Sequence, residues 1–133
     1  VCCSPDGAPS GKTEGVERTL IYYDADQKQL AVDTTQSSVE RDPRTPQEVS
    51  DQVGALPQAI EAGPLELAPG EPLRLRVFID RSVVEVFAND RQAVMRRIYP
   101  TRADSVGVRL FARGGAAHVR VWRAWKIDAT NAW

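Results

Sequence analysis

The stretch "LRVFIDRSVVEVFANDRQAVMRRIYP", residues 75–100, decides the fold, because it alternates apolar and polar residues across two turn signals. If Arg81 and Ser82 are the central residues of a tight turn, Asp80 faces Val83, Ile79 faces Val84, Val77 faces Val86 and Leu75 faces Ala88. One face of that hairpin is then wholly apolar. Asn89-Asp90 gives a second two-residue turn, since Asn and Asp tolerate the left-handed backbone of a type I′ hairpin. It pairs Val86 with Ala93 and Val84 with Met95, so both turns keep the same face apolar, the agreement expected of a true sheet.

Working outward, "SVGVRLFA" (105–112) and "AHVRVWRAWKI" (117–127) continue the alternation, with Gly114-Gly115 as the hairpin turn between them. Five runs from Leu73 onward therefore predict an antiparallel meander. Its expected core is Leu75, Val77, Ile79, Val84, Val86, Ala93 and Met95, joined by Val108 or Phe111, Val119, Val121 and Trp125. Upstream, "TLIYYD" (19–24) and "QLAVDTT" (29–35) flank a polar turn, Ala25 to Lys28, and read as another hairpin. Between the two regions, Val39 to Pro72 is polar, with prolines at 43, 46, 57, 64 and 69. It reads as a long loop broken by a short strand around Pro64 to Ala68. No amphipathic helix is available to bury the apolar sheet face, so the cover must be a second sheet. The prediction is an all-β, two-sheet antiparallel β-sandwich.

At 133 residues the chain is one domain by size, residues 1–133, able to bury roughly two-thirds of its unfolded surface without staples. The net charge of −1 hides an imbalance. Residues 1–72 carry 5 basic and 13 acidic side chains, and residues 73–133 carry 12 and 5. The basic residues interleave with Val, Leu and Phe at strand spacing and no nucleic-acid motif accompanies them, so they are read as polar strand faces, with no nucleic-acid partner. Cys2 and Cys3 are adjacent, a spacing that strains a disulfide, and are read as thiols. No apolar run approaches the ~18 residues of a membrane span, so no membrane partner is expected, and no signal peptide is read within these residues; any would lie upstream. The opening "VCCSPDG", without an initiator Met, reads as a piece of something longer.

Asp80 and Glu85 raise the question of acid/base chemistry. On this register they share the face opposite the core, at diagonal positions roughly 7–8 Å apart, inside the ~6.5–9.5 Å window of an inverting glycosidase. A catalytic acid needs a pocket that raises its pKa. A sheet face with Arg76, Arg96 and Arg81 nearby would instead hold both ionised, so ion pairing is the preferred reading. His118 is the only histidine and lacks companions at metal spacing. No nucleophile triad, phosphate-binding Gly-rich loop or CxxC is present, so no cofactor and no metal is expected.

The residues D-x-S-x-x-E-V-F at Asp80, Ser82, Glu85, Val86 and Phe87, the turn Asn89-Asp90, R-x-Y-P at Arg97, Tyr99 and Pro100, the strand Gly107 to Ala112 and Ala124-Trp125 closely resemble the C-terminal β-sandwich module of glycoside hydrolase family 32, the invertases, levanases and inulinases. "SPDG", "TLIYYD" and "LAVDTTQSS" resemble its opening hairpin. The resemblance implies a jelly-roll or concanavalin-like sandwich whose partner is an N-terminal five-bladed β-propeller, the catalytic domain of a retaining β-fructosidase. That propeller carries Asn-Asp-Pro, Arg-Asp-Pro and Glu-Cys motifs. Here only Arg41-Asp42-Pro43 occurs, without the other two, and one third of a coupled constellation cannot catalyse. The resemblance implies an accessory module that packs on the propeller and stabilises it, with oligomer contacts as a further role. The rival is a fructan- or sucrose-binding module, with Trp122, Trp125 or Trp133 stacking on sugar and core packing the preferred fate of Trp125. Asp80, Ser82, Glu85, Arg97 and Trp122 are the candidates for domain-interface or sugar contact; none is assigned a catalytic role. Compartment stays open between cytoplasmic and secreted.

Overall fold

Alternation and turn chemistry produce six strands in the computed structural model, which describes residues 1–4, 16–38 and 59–128. They are β1 (Arg18–Asp24), β2 (Gln29–Gln36), β3 (Ile60–Pro64), β4 (Leu75–Asp80), β5 (Val83–Ala88) and β6 (Gln92–Arg97). They form two three-stranded antiparallel sheets, β1-β2-β3 and β4-β5-β6, each in chain order. The sheets face each other through Leu30 and Val32 of β2, Leu65, and Val84, Val86, Ala88, Val94 and Ile98, all buried. The all-β sandwich expected from the sequence is present. The third strand of the first sheet lies at 60–64 rather than 64–68, and the prolines at 43, 46 and 57 lie outside the described residues.

The β4–β5 hairpin has the expected register, Asp80 opposite Val83 through Leu75 opposite Ala88. Arg81 takes the left-handed backbone of the turn, with φ of 50°. The β5–β6 register is one residue from expectation. Val86 faces Val94, Val84 faces Arg96 and Glu85 faces Met95. Asn89 and Asp90 are both left-handed and the Arg91 N–H donates to the Ala88 carbonyl, so the tight turn forms. Arg91 is then an extra residue, and Ala88 faces Gln92. Extra hydrogen bonds explain the shift. The Asn89 side chain accepts from the Arg74 N–H at 2.8 Å and donates to Glu71 and to the Pro72 carbonyl, while Arg91 reaches Glu71 at 2.6 Å. The slip puts Val94 inward in place of Ala93 and Met95. It also turns Arg96 to the covered face, where Glu61 of β3 neutralises it at 2.9 Å.

The core is smaller than the alternation predicts. β2 and β3 lie over β6, leaving β4 as an overhanging edge whose Leu75, Val77 and Ile79 stay exposed although they share a face with Val84 and Val86. Residues 108–128 form no strand: beyond the bridge between Cys3 and Gly107, no ladder engages them. Val108, Phe111, Val119, Val121 and Trp125, expected in the core, are exposed because no second surface among the described residues faces them. The expected five-strand meander is therefore a three-strand one. Cys2 and Cys3 are free thiols.

Candidate functional site

The open face of the second sheet follows from the register. Side chains alternate along a strand, so burying Val84 and Val86 turns Val83, Glu85 and Phe87 outward. Asp80, Val83 and Arg97 form one row across that face, Phe78, Glu85 and Met95 the next, and Arg76, Phe87 and Ala93 the last. Glu85 stands at the middle of the face with apolar side chains around it. Phe78 and Phe87 meet edge to face with ring centroids 5.9 Å apart, and they and Met95 are 39%, 40% and 63% exposed. The other charged groups lie at the ends. Arg76 pairs with Asp90 at 2.8 Å, not with Asp80 or Glu85.

The structure thus brings Asp80, Glu85 and Arg97 onto one face and puts Ser82 in the turn beside them. Trp122 lies apart, on the unpaired 108–128 segment, 57% exposed. The arginine shield expected around the two carboxylates is absent. Arg96 faces the other way, and neither Asp80 nor Glu85 has a hydrogen bond or ion pair among the described residues. What argues against catalysis is geometry. The two carboxylates occupy diagonal positions on an uncovered sheet, and the depression beside the Arg81-Ser82 turn is lined by neither. Asp42 and Trp133 lie outside the described residues. Among the described residues no three His, Cys, Asp or Glu side chains come together as a metal site, and no helix is long and apolar enough to cross a membrane.

Beside the Arg81-Ser82 turn lies a depression of about 380 Å³, lined by Arg81, Ser82, Ile98, Tyr99, Pro100 and Thr101. Thr101 of that lining is held by Glu17, a carboxylate buried with no exposed surface. One Glu17 oxygen accepts from the Thr101 N–H at 2.7 Å and the Thr101 hydroxyl at 2.6 Å. The other accepts from the Arg102 N–H at 3.0 Å and the Ser105 hydroxyl at 2.6 Å. Four donors compensate the desolvation of that charge. Sequence reasoning missed Glu17 because its partners lie 84 to 88 positions away, and no local pattern marks them.

Two facing antiparallel sheets with a motif-bearing outer face define the chain as a β-sandwich module. The comparison with protein families sharpens this: residues 10–126 match the family described as "Glycosyl hydrolases family 32 C terminal", and the chain belongs to that family. Raffinose invertase of Escherichia coli is 45% identical over 64 residues, 47% of this chain and 13% of that protein. Levanase of Bacillus subtilis is 33% identical over 102 residues, 77% of this chain and 13% of that protein. Sucrose-6-phosphate hydrolase of Zymomonas mobilis is 28% identical over 120 residues, 86% of this chain and 20% of that protein. The chain thus spans between about an eighth and a fifth of the length of these relatives.

Proposed function

We propose that this chain is a non-catalytic accessory module of a sucrose- or fructan-hydrolysing glycosidase, packing on the catalytic β-propeller and stabilising it. The observation that carries this reading is the open face of β4–β6. Exposed Phe78, Phe87 and Met95 surround Glu85, with Arg76, Asp80 and Arg97 at the ends of the face, an apolar patch beside charged groups of the kind a docking partner covers. The family and the names of its relatives support a hydrolase as the parent, and the short span of this chain on each of them supports a separate catalytic part. The partner is a retaining β-fructosidase domain acting on O-glycosyl bonds, on the resemblance set out above.

Hydrogen exchange in the chain alone and in the full-length parent tests the placement. The expected result is added protection over residues 76–97 in the parent, and Phe87→Arg should lower the parent's melting temperature by several degrees. Protection confined to β1–β3 would reject this face as the interface.

A further inference from the structure

We propose that the surface docking on the open face of β4–β6 presents a basic side chain, an arginine by the chemistry of the site, that pairs with Glu85. This rests on the docking reading above and adds what the partner must carry. The four nearest positions to Glu85 on that face are all apolar. Phe78 and Met95 stand directly across the two strand pairs, and Val83 and Phe87 lie two residues away along β5. Glu85 is already half-buried among them, and it has no hydrogen bond or ion pair among the described residues. The nearby cations are engaged or aimed elsewhere. Arg76 is held by Asp90 at 2.8 Å, and Arg96 is turned to the covered face with Glu61. Arg97 shares the open face at a position diagonal to Glu85, yet the two form no pair.

Desolvation selects the partner. While the face is in water, a lone carboxylate costs little. A surface that covers Phe78, Phe87 and Met95 also strips the water from Glu85, and an unpaired buried charge opposes the docking that the apolar contacts favour. A neutral donor offsets only part of that charge, whereas a cation offsets it fully. Guanidinium suits the surroundings better than ammonium. It is the more weakly hydrated of the two, it can rest against an aromatic ring such as Phe78 or Phe87, and its planar fork takes both carboxylate oxygens. The pair would also fix the orientation of docking, because a surface that placed an acid opposite Glu85 would be repelled.

The test substitutes Glu85 in the full-length parent and reads hydrogen exchange over residues 76–97 and thermal melts, with the 133-residue chain as the control. Glu85→Met enlarges the apolar patch but leaves the partner's cation unpaired. The expected result is that protection over these residues falls at least about tenfold and the parent melts several degrees lower, with a larger loss for Glu85→Lys. In the chain alone both variants should melt within about 3 °C of the unsubstituted protein. Protection kept or raised in Glu85→Met would mean that the face docks by apolar contact alone, and would overturn the proposal. So would a loss equally large in the chain alone. A Glu85→Met loss that vanishes in an Arg97→Met background would place the cation in this chain and overturn it as well. Absence of added protection over residues 76–97 in the unsubstituted parent is a separate outcome, which removes the docking reading itself and the proposal with it.

Discussion

Residues 83–98 and residues 106–127 share the same alternation of Val, Phe and Arg, yet they meet opposite fates. In the first, Val84, Val86 and Ile98 are fully buried; in the second, Val121, Trp125 and Ile127 are 68%, 76% and 74% exposed. The difference lies in what anchors each region. The first is held by two turns with left-handed residues at Arg81, Asn89 and Asp90, and β2 and β3 cover it. The second is tied at one end, where Cys3 and Gly107 exchange backbone hydrogen bonds of 2.9 and 3.0 Å. Alternation shows that a segment can form a strand. Burial needs a facing surface, which is a property of the whole fold.

The largest expected effect tests that contrast directly. Val84→Asp puts an unpaired charge in the middle of the sandwich and should cost roughly 4 kcal/mol or more, enough to unfold the chain. Val121→Asp on the exposed segment should change stability by about 0.5 kcal/mol or less. Urea melts of the two variants check this. Equal losses would mean that residues 106–127 are packed in solution, and the comparison would fail.

Next in size is the link between the two regions. Glu17 precedes β1 and gathers the loop that leads from Ile98 toward Gly107. Glu17→Gln turns an amide N–H₂ toward a backbone N–H that can only donate, at an expected cost of about 3 kcal/mol. Thermal melts should show the loss together with greater exchange of the Thr101 and Arg102 amides. A loss below about 1 kcal/mol would mean that the loop holds without its carboxylate.

Much of the fold was legible, for physical reasons that differ by element. The β1–β2 and β4–β5 hairpins were readable because turn chemistry and side-chain period are both local, and they agree with each other. The β5–β6 register was not, because Arg91 is placed by Glu71, which no rule of tight turns includes. The exposure of Leu75, Val77 and Ile79 was unreadable as well, since it depends on how far the first sheet reaches across the second. Of the candidate site, Asp80, Glu85 and Arg97 could be put on one face from period alone. The arginine expected to pair with them could not, because one residue of slip sent Arg96 to the other side. The family motifs pointed to Ser82 and Tyr99 without revealing that they share a depression.

A smaller effect is expected at the turn that sets this register. Asn89→Ala removes the acceptor for the Arg74 N–H and the donor to the Pro72 carbonyl, and it leaves a Cβ-bearing residue without Asn's tolerance at φ of 51°. The expected loss is about 2 kcal/mol, less for Asn89→Gly, which relieves the backbone but not the hydrogen bonds. The same clamp gives an acid dependence. Glu71 is held below its ordinary value of 4.5, first by the Ala68 N–H, then by the Asn89 side chain and Arg91. Its folded value is the lower one, so its contribution is present above pH 4.5 and fades as pH falls through the depressed value. Melts between neutral pH and pH 3 should show that decline, and Asn89→Ala should flatten it. An unchanged slope in the variant would remove Asn89 from the clamp.

The smallest effects belong to the two carboxylates that looked most like chemistry. Asp80 and Glu85 have no partner among the described residues and stand on an uncovered sheet face, so Asp80→Asn and Glu85→Gln should each shift stability by about 0.5 kcal/mol or less. Neither should create or abolish turnover. A retaining mechanism needs two carboxyl groups ~5–5.5 Å apart around a held sugar ring, whereas diagonal positions on a sheet stand roughly 7–8 Å apart. An inverting mechanism tolerates that spacing but still needs one acid with a raised pKa inside a pocket that orders a water. Here the nearby depression is lined by neither residue. The chain alone should therefore release no fructose from sucrose, levan or inulin. An assay on protein freed of host invertase checks this, with Asp80→Asn, Glu85→Gln and Asp42→Asn alongside. Turnover that disappears in any one of the three would give that carboxylate a catalytic role and end the accessory reading.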